Sequence, residues 1–340
     1  MRKILNLMFV SALLAAGSVA ARAEDKPIVA VSWFKFADER WKIDEAGIKK
    51  GLEGSGMEYV SADANHSAEK MVADIENLLT RHPKALIIMP GDAEVGPVVK
   101  KALESGVPVV DYDQLIDTPG IFYVSFDARS VGHQLAEGML KVAPKGNYAL
   151  IKGDHGDPNT HAMFAGFMEK MKPSIDSGAI KIVGEQFVDA WRPEAAKAVM
   201  EQILTANQNK VDAVMVMNDG MASGVAKALE EQGLSIPISG QDGAGGALNR
   251  IARGQQTFTI WKNSLDLGQA AAKIALALEA GKPVEGKTTY TTPKGNKLDA
   301  ILLPVDRIDQ NNLDKPVNVG WTTKDVICAG VTSNPPALCK

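Results

Sequence analysis

Short runs that are almost wholly apolar alternate along this chain with longer stretches whose apolar residues recur every three or four positions. The first pattern is that of a strand buried on both faces, and the second that of an amphipathic helix. "IVAVSW" (28–33), "ALIIMP" (85–90) and "VPVVDYD" (107–113) are of the first kind. "SAEKMVADIENLLT" (67–80) is of the second, with Ala68, Met71, Val72, Ile75, Leu78 and Leu79 on one face. In "AEVGPVVKKALESG" (93–106) the stripe is Val95, Val98, Val99, Ala102 and Leu103, and Gly106 can close the helix. The alternation continues through the strand-like "YVSF", "NYALIKG", "IKIVGEQF", "VDAVMVMN", "IPISGQD" and "TFTIWK". Helical periodicity lies near 128–142, 158–172, 194–207, 219–232, 244–253 and 264–280. Such alternation predicts an α/β fold with parallel sheets covered on both faces. About ten strands overfill one comfortable sheet, so the pattern predicts two doubly wound lobes with a break near 125–132.

The N-terminus departs from this rhythm. "MRKILNLMFVSALLAAGSVAARA" has cations at Arg2 and Lys3, a mostly apolar run, and a small-x-small site at Ala21-Arg22-Ala23. That is the plan of a secretory signal peptide over residues 1–23, with an N-terminal membrane anchor as the other reading. No later segment is long and apolar enough to span a bilayer. Export leaves residues 24–340, a length that suits two lobes. Loss of Arg2, Lys3 and Arg22 moves the formal charge from −4 to −7. An acidic exported chain without basic blocks is a poor partner for nucleic acid. Cys328 and Cys339 are the two cysteines. In an oxidising compartment they can close a small tail loop or remain two thiols, and their spacing is not that of a metal site.

The residues that end the strands carry the chemistry. Asp113 follows "VVDY", Asp127 follows "YVSF" and Trp191 follows "QFVDA". Asp157 and Asn159 follow "LIKGDHG", Asn218 and Asp219 follow "VMVM", Gln241 and Asp242 follow "PISG", and Lys262 follows "TFTIW". In open α/β sheets ligands bind outside the carboxyl ends of strands. Any one of these residues can be a helix cap, Asn218 or Asp219 for instance, but caps alone are a poor account of them all. Carboxylates, amides and a guanidinium in one cleft suit the paired hydroxyls of a sugar, which both donate and accept. The C–H face of a sugar ring packs on an aromatic ring. Trp191, alone between strand and helix in "FVDAWRPEAA", fits such a platform, with Asp189 and Arg192 structural. The alternative is that Trp191 packs over the first turn of its own helix, with Pro193 at its first position. Catalytic patterns are missing. There is no GxSxG elbow, "GQDGAGG" lacks the GxGxxG spacing, and His155 and His161 lack metal-helix spacing. No stretch matches an EF-hand loop. Asp157 and Asp242 could pair as in a glycosidase, but nothing in the sequence fixes their separation. Binding without turnover, cofactor or metal is the expectation.

"ADERW" (37–41), "VDYDQLI" (110–116), "YVSFD" (123–127), "FVDAWRPE" (187–194), "ILTANQNKVDAVMVMND" (203–219), "SGQD" (239–242) and "IWKN" (260–263) together resemble the D-xylose-binding branch of the type I periplasmic sugar-binding proteins. The resemblance runs in register over most of the chain. It implies two Rossmann-like lobes, a three-segment hinge and a sugar in the cleft between them. The first lobe would be 24–131 plus about 263–300, and the second 132–262 plus about 301–340 with the C-terminal tail. It also implies a monomeric periplasmic protein that hands a monosaccharide or polyol to an ABC permease and its ATPase. By position the ligand residues are Arg40 and Asp113 from the first lobe, with Asp157, Asn159, Trp191, Asn218, Asp242 and Lys262 from the second lobe and hinge. Three departures surround this set. Gln114 stands where the family has arginine, a neutral amide in place of a five-donor fork. Phe34 stands where the family is acidic, and Pro158 replaces an amide. Gln114 and Phe34 join the ligand set as positions that choose among a xylose-like pentose, another sugar or a sugar alcohol. The tail carrying Cys328 and Cys339 lies outside the resemblance. The same site would serve a periplasmic receptor feeding chemotaxis or a sensor kinase, and an exported sugar enzyme is a further alternative. A sugar-responsive repressor of this fold would need an N-terminal helix-turn-helix where this chain has its leader.

Overall fold

The computed structural model describes residues 26–36, 39–91 and 94–340; the expected signal peptide and residues Ala37 and Asp38 of the first quoted motif lie outside them. The chain opens with β1 (Ile28–Trp33), α1 (Glu39–Leu52), β2 (Glu58–Asp63), α2 (Ala68–Leu79), β3 (Ala85–Met89), α3 (Gly96–Glu104), β4 (Val109–Tyr112) and β5 (Phe122–Phe126). Then come α4 (Ala128–Val142), β6 (Gly146–Lys152), α5 (Pro158–Asp176), β7 (Ile180–Phe187), α6 (Pro193–Ala206), β8 (Ala213–Val216) and α7 (Asp219–Glu231). They are followed by β9 (Gln241–Asp242), α8 (Gly245–Ala252), β10 (Thr259–Trp261) and α9 (Ser264–Glu279). The chain ends with β11 (Thr288–Thr291), β12 (Lys297–Leu303), β13 (Asp306–Ile308), α10 (Asp314–Asn318) and α11 (Lys324–Cys328).

One sheet has seven strands in the order β11-β12-β5-β4-β3-β1-β2, parallel except for the β11–β12 hairpin. Its inner strands β1, β3, β4 and β5 are buried at every position, as their mostly apolar runs require. The second lobe is built on β7-β6-β8 and on β9-β10-β13, linked by a single bridge between Val214 and Ile238. The strand expected over 236–242 is thus a bridge at Ile238 and a short β9, because Asp242 and Gly243 turn into positive φ and end the ladder. The edge strands β2, β11 and β13 and the helix α1 escape the hydrophobic pattern. β2 and β11 are largely solvated, and α1 reads "ERWKIDEAGIKKGL", mostly polar.

Each sheet has its own core. One packs Val31, Ile87, Ile88, Val110 and Val124 beneath α1, α2, α3 and α9. The other packs Leu150, Ile151, Val214, Val216, Phe167 and Met200. The chain changes sheet between Phe126 and Ala128, between Trp261 and Ser264, and between Leu303 and Asp306. Val131, within α4, lies in the second core, and Leu302 and Leu303 pack on the first. A third, smaller core gathers Leu248, Trp261, Trp321 and Ile327 under the tail, where Cys328 and Cys339 form a disulfide.

Candidate functional site

The carboxyl ends of the two sheets face each other across a cavity of about 600 Å³. Its walls come from both lobes. Arg40, Asp113 and Gln114 stand on one side, and Asp157, Asn159, Trp191, Asn218, Asp242 and Lys262 on the other or at the changeover. Nine of the ten residues proposed from sequence meet here. Phe34 does not line this cavity. It is buried at the end of β1 and faces a smaller adjoining one, because the chain turns after Trp33 and lays the ring on Gly91.

Backbone conformation aims several of these side chains. Asp113, directly after β4, has φ +67°, Asp242 in β9 has φ +104°, and Ala190 and Trp191 have φ +53° and +58°. Such angles cost a non-glycine residue on the order of 1–3 kcal/mol and persist only where surrounding contacts hold them. Around Trp191 those contacts are visible. The Ala190 N–H donates to Asp154 Oδ2 at 2.6 Å, and the Trp191 N–H to the Val188 carbonyl at 3.2 Å. A Cβ on Gly153 would lie 2.1 Å from the indole, so only glycine leaves room for it. Pro193 does open α6, but the indole reaches back over Gly153 and into the cavity.

Asp242 has a comparable scaffold. Asp219, at the start of α7, accepts from Gly243 N at 2.8 Å, Ala244 N at 3.0 Å, Thr259 Oγ1 at 2.9 Å and Gln256 Nε2 at 2.8 Å. Trp321 Nε1 donates to the Gly243 carbonyl at 2.7 Å. The loop that presents Asp242 is therefore fixed from two sides. Burial, with Asp242 nearby, pushes the Asp219 carboxyl up to about 7 against the pull of Arg250, Gln256 and Thr259. Asn218 caps α7 by accepting from Met221 N at 2.8 Å and still lines the cavity. Asp127 is a cap alone, accepting from Ser130 N at 3.1 Å outside the cavity lining.

The charges are arranged in opposed pairs. Arg40 Nη2 donates to Asp113 Oδ1 at 2.6 Å, and the guanidinium stands 3.6 Å from Asp44 and 3.7 Å from Asp242. Burial works against the Arg40 charge, but Asp113, Asp44 and Asp242 outweigh it and raise its pKa. Burial likewise pushes Asp113 up, yet Arg40 and Lys262 prevail and hold it below the usual carboxylate range. Lys262 Nζ lies 3.0 Å from Asp242 Oδ1. Behind them Asp44, beneath Arg40 and Tyr112, is pushed up to about 6 by burial. With cations and carboxylates balanced, the cavity favours a neutral polar ligand over an ion.

Two hydrogen bonds cross the cleft directly. Gln114 Nε2 donates to Asp157 Oδ2 at 2.6 Å, and Asn159 Nδ2 donates to the Asp113 carbonyl at 3.1 Å. Asp157 also caps α5, where Pro158 takes the first helical turn, by accepting from Asn159 N at 2.8 Å. Burial raises the Asp157 carboxyl. Gln114 Oε1 is buried without a hydrogen-bond partner among the described residues. Sequence reasoning missed the apolar walls Trp41, Phe126 and Met163, and also His66; it took Arg192 as structural, yet Arg192 lines the cavity. Trp41 and Phe126 sit inside quoted motifs and at a strand end, which was signal enough; His66 had none. Among the described residues no His, Cys, Asp and Glu cluster could hold a metal ion, and no helix is long and apolar enough to cross a membrane.

Residues 29–283 match the family described as periplasmic binding protein domain. The chain is 38% identical to the D-xylose-binding periplasmic protein of Escherichia coli, over 93% of this chain and 96% of that one. It is 37% identical to the protein of the same name from Haemophilus influenzae, over 85% and 88%. Among solved structures, an ABC transporter solute binding protein from Clostridium phytofermentans with bound β-D-glucose superposes with a TM-score of 0.79 at 26% identity, covering 88% of this chain and 99% of that one. Two sheets facing each other across a charge-balanced cleft, and a match over most of the chain, make this protein a member of the periplasmic binding protein domain family.

Proposed function

We propose that the protein is the periplasmic substrate-binding component of an ABC sugar importer and that it binds a neutral monosaccharide or polyol without chemical turnover. The observation that carries this reading is the cavity itself. Paired Arg40–Asp113 and Lys262–Asp242 groups offer forked donors and acceptors without excess charge, and Trp191 is held on strained backbone as an aromatic wall. The names of the relatives support a sugar and an export destination. The ligand set is Arg40, Asp113, Gln114, Asp157, Asn159, Trp191, Asn218, Asp242 and Lys262. The three changes of sheet serve as the hinge, so ligand that touches both lobes favours the closed arrangement. The closed form then presents one lobe to each subunit of a permease driven by an ATPase.

A thermal-shift screen of refolded mature protein against pentoses, hexoses and alditols tests this. A ligand at a hundredfold excess over its dissociation constant adds about 2.7 kcal/mol of stability. A clear upward shift with one sugar or polyol, returned unchanged after incubation, is the expected result. No shift across the panel, or conversion of the ligand, overturns it.

A further inference from the structure

Phe34 has no place in the main cavity, yet it walls a second one. That cavity, of about 260 Å³, adjoins the first and shares with it Lys35, His66, Gln114, Asp157, Ala190 and Trp191. Phe34, Gly91 and Asp154 are its own. We propose that the cleft contains a second sugar subsite, walled by Phe34, His66 and Gly91 on one lobe and Trp191 on the other, which takes the second ring of a disaccharide. The proposal rests on the sugar-binding reading above and extends the class of ligand.

Three observations carry it. The first is strain on both sides of the space. Asn65 and His66 have φ +49° and +64°, and His66 lines the cavity together with Ala190 and Trp191, at +53° and +58°. Consecutive non-glycine residues in this region mark places where a fold holds side chains at a cost. His66 is tied in by its N–H, which donates to the Phe34 carbonyl at 2.8 Å, and its ring meets the Phe34 ring edge-on at 5.7 Å. The second is the floor. A Cβ on Gly91 would lie 2.1 Å from the Phe34 ring, so the glycine lets the ring lie against the backbone instead of filling the space. Phe34, His66 and Trp191 thus give aromatic surface on two sides, suited to the apolar C–H faces of a pyranose. The third is the junction. Gln114 and Asp157, joined by a hydrogen bond from the Gln114 amide, line both cavities and make their shared wall polar. Hydroxyls beside a glycosidic bond suit that polar wall, whereas an apolar substituent would leave its groups without partners. A disaccharide fits this sequence of polar junction and aromatic chamber better than a simple alkyl glycoside.

Calorimetry on the refolded mature protein would compare D-xylose and D-glucose with xylobiose, cellobiose and maltose. The expected result is that at least one disaccharide binds tenfold or more tightly than its own monosaccharide, and that Phe34→Ala and Phe34→Leu each reduce that ratio at least threefold. Saturation-transfer NMR of the bound disaccharide, which needs no variant, should show both rings receiving magnetisation from the protein. Monosaccharide binding with every disaccharide equal or weaker, an unchanged ratio in the Phe34 variants, or saturation of one ring only would overturn the subsite while leaving the sugar reading intact. Failure of all five sugars to bind would also overturn the subsite, and the sugar reading itself falls only if the pentose, hexose and alditol screen is silent as well.

Discussion

Trp191 is the side chain whose placement demands most of the surrounding structure. Its left-handed backbone, its hydrogen-bonded turn and the bare Gly153 beneath it serve one outcome, an indole edge delivered to the cavity. Trp191→Ala is expected to weaken sugar binding by tenfold or more, on the order of 1–3 kcal/mol for an aromatic wall that ligand covers. Unaltered affinity in a calorimeter would end the stacking role. Gln114→Arg tests the other marked position. It replaces an amide donor and a free acceptor with a donor-only fork, and the ranking of sugars should move toward D-xylose. The buried acids Asp44 and Asp219 set a third expectation. Their carboxyls, pushed by burial up to about 6 and about 7, hold a proton more readily in the folded chain than in the unfolded one. The unfolded state then binds fewer protons between the ordinary carboxylate range and those values. The contribution of these two groups is complete at acid pH and is lost as pH rises through them. Asp219→Asn should therefore flatten the fall in urea midpoint between about pH 5 and pH 8, even though it weakens the loop at Gly243 and Ala244. A slope identical to that of the parent protein would contradict this.

Among elements, helix pairs pack with their backbones nearly touching. A Cβ on Gly132 in α4 would lie 2.0 Å from the Met163 carbonyl in α5, and one on Gly166 would lie 2.2 Å from the Arg129 carbonyl. Gly132→Ala should force the pair apart and lower stability by about 1–3 kcal/mol, read as a drop in urea midpoint with sugar affinity retained. Loss of binding with stability unchanged would place the glycines in the site instead. The elements legible in the sequence were those whose burial is uniform. β1, β3, β4 and β8 are buried at every position and mostly apolar because both faces are covered, and α2 carries a clean stripe over Met71, Ile75 and Leu78. β2, β11 and α1 were silent because solvent meets much of their surface and their composition follows the solvent. The site was legible for a different reason. Strand ends that break an apolar run with Asp, Asn, Lys or Trp are conspicuous, and seven such residues of the ligand set line the cavity, whereas Arg40 and Gln114 came from the family resemblance alone. Phe34 misled because an apolar residue at a strand end carries no direction; only the turn after Trp33 and the gap at Gly91 decide which cavity it faces.

At the scale of the molecule, the tail and the changes of sheet matter most. The disulfide between Cys328 and Cys339 closes a short loop, worth on the order of 3 kcal/mol to the order of the segment it closes. Trp321, in the same small core as the disulfide, holds the Gly243 loop that carries Asp242. Replacing both cysteines by serine should raise hydrogen exchange across 313–340 and at Gly243, and should lower sugar affinity less than Trp191→Ala does. Protection unchanged at Gly243 would uncouple tail from site. The seven-stranded sheet has a further consequence, one of timing. Strand β12 lies beside β5, with Asp299 paired to Phe122, although most of the second lobe is made between them. At about 5–20 residues per second, a ribosome needs roughly ten to thirty-five seconds to travel from one strand to the other. Through that interval β5 is an unfinished apolar edge, and the first lobe cannot close its core. The first lobe therefore completes its sheet only when synthesis is nearly over, long after its strands β1 to β5 have been made.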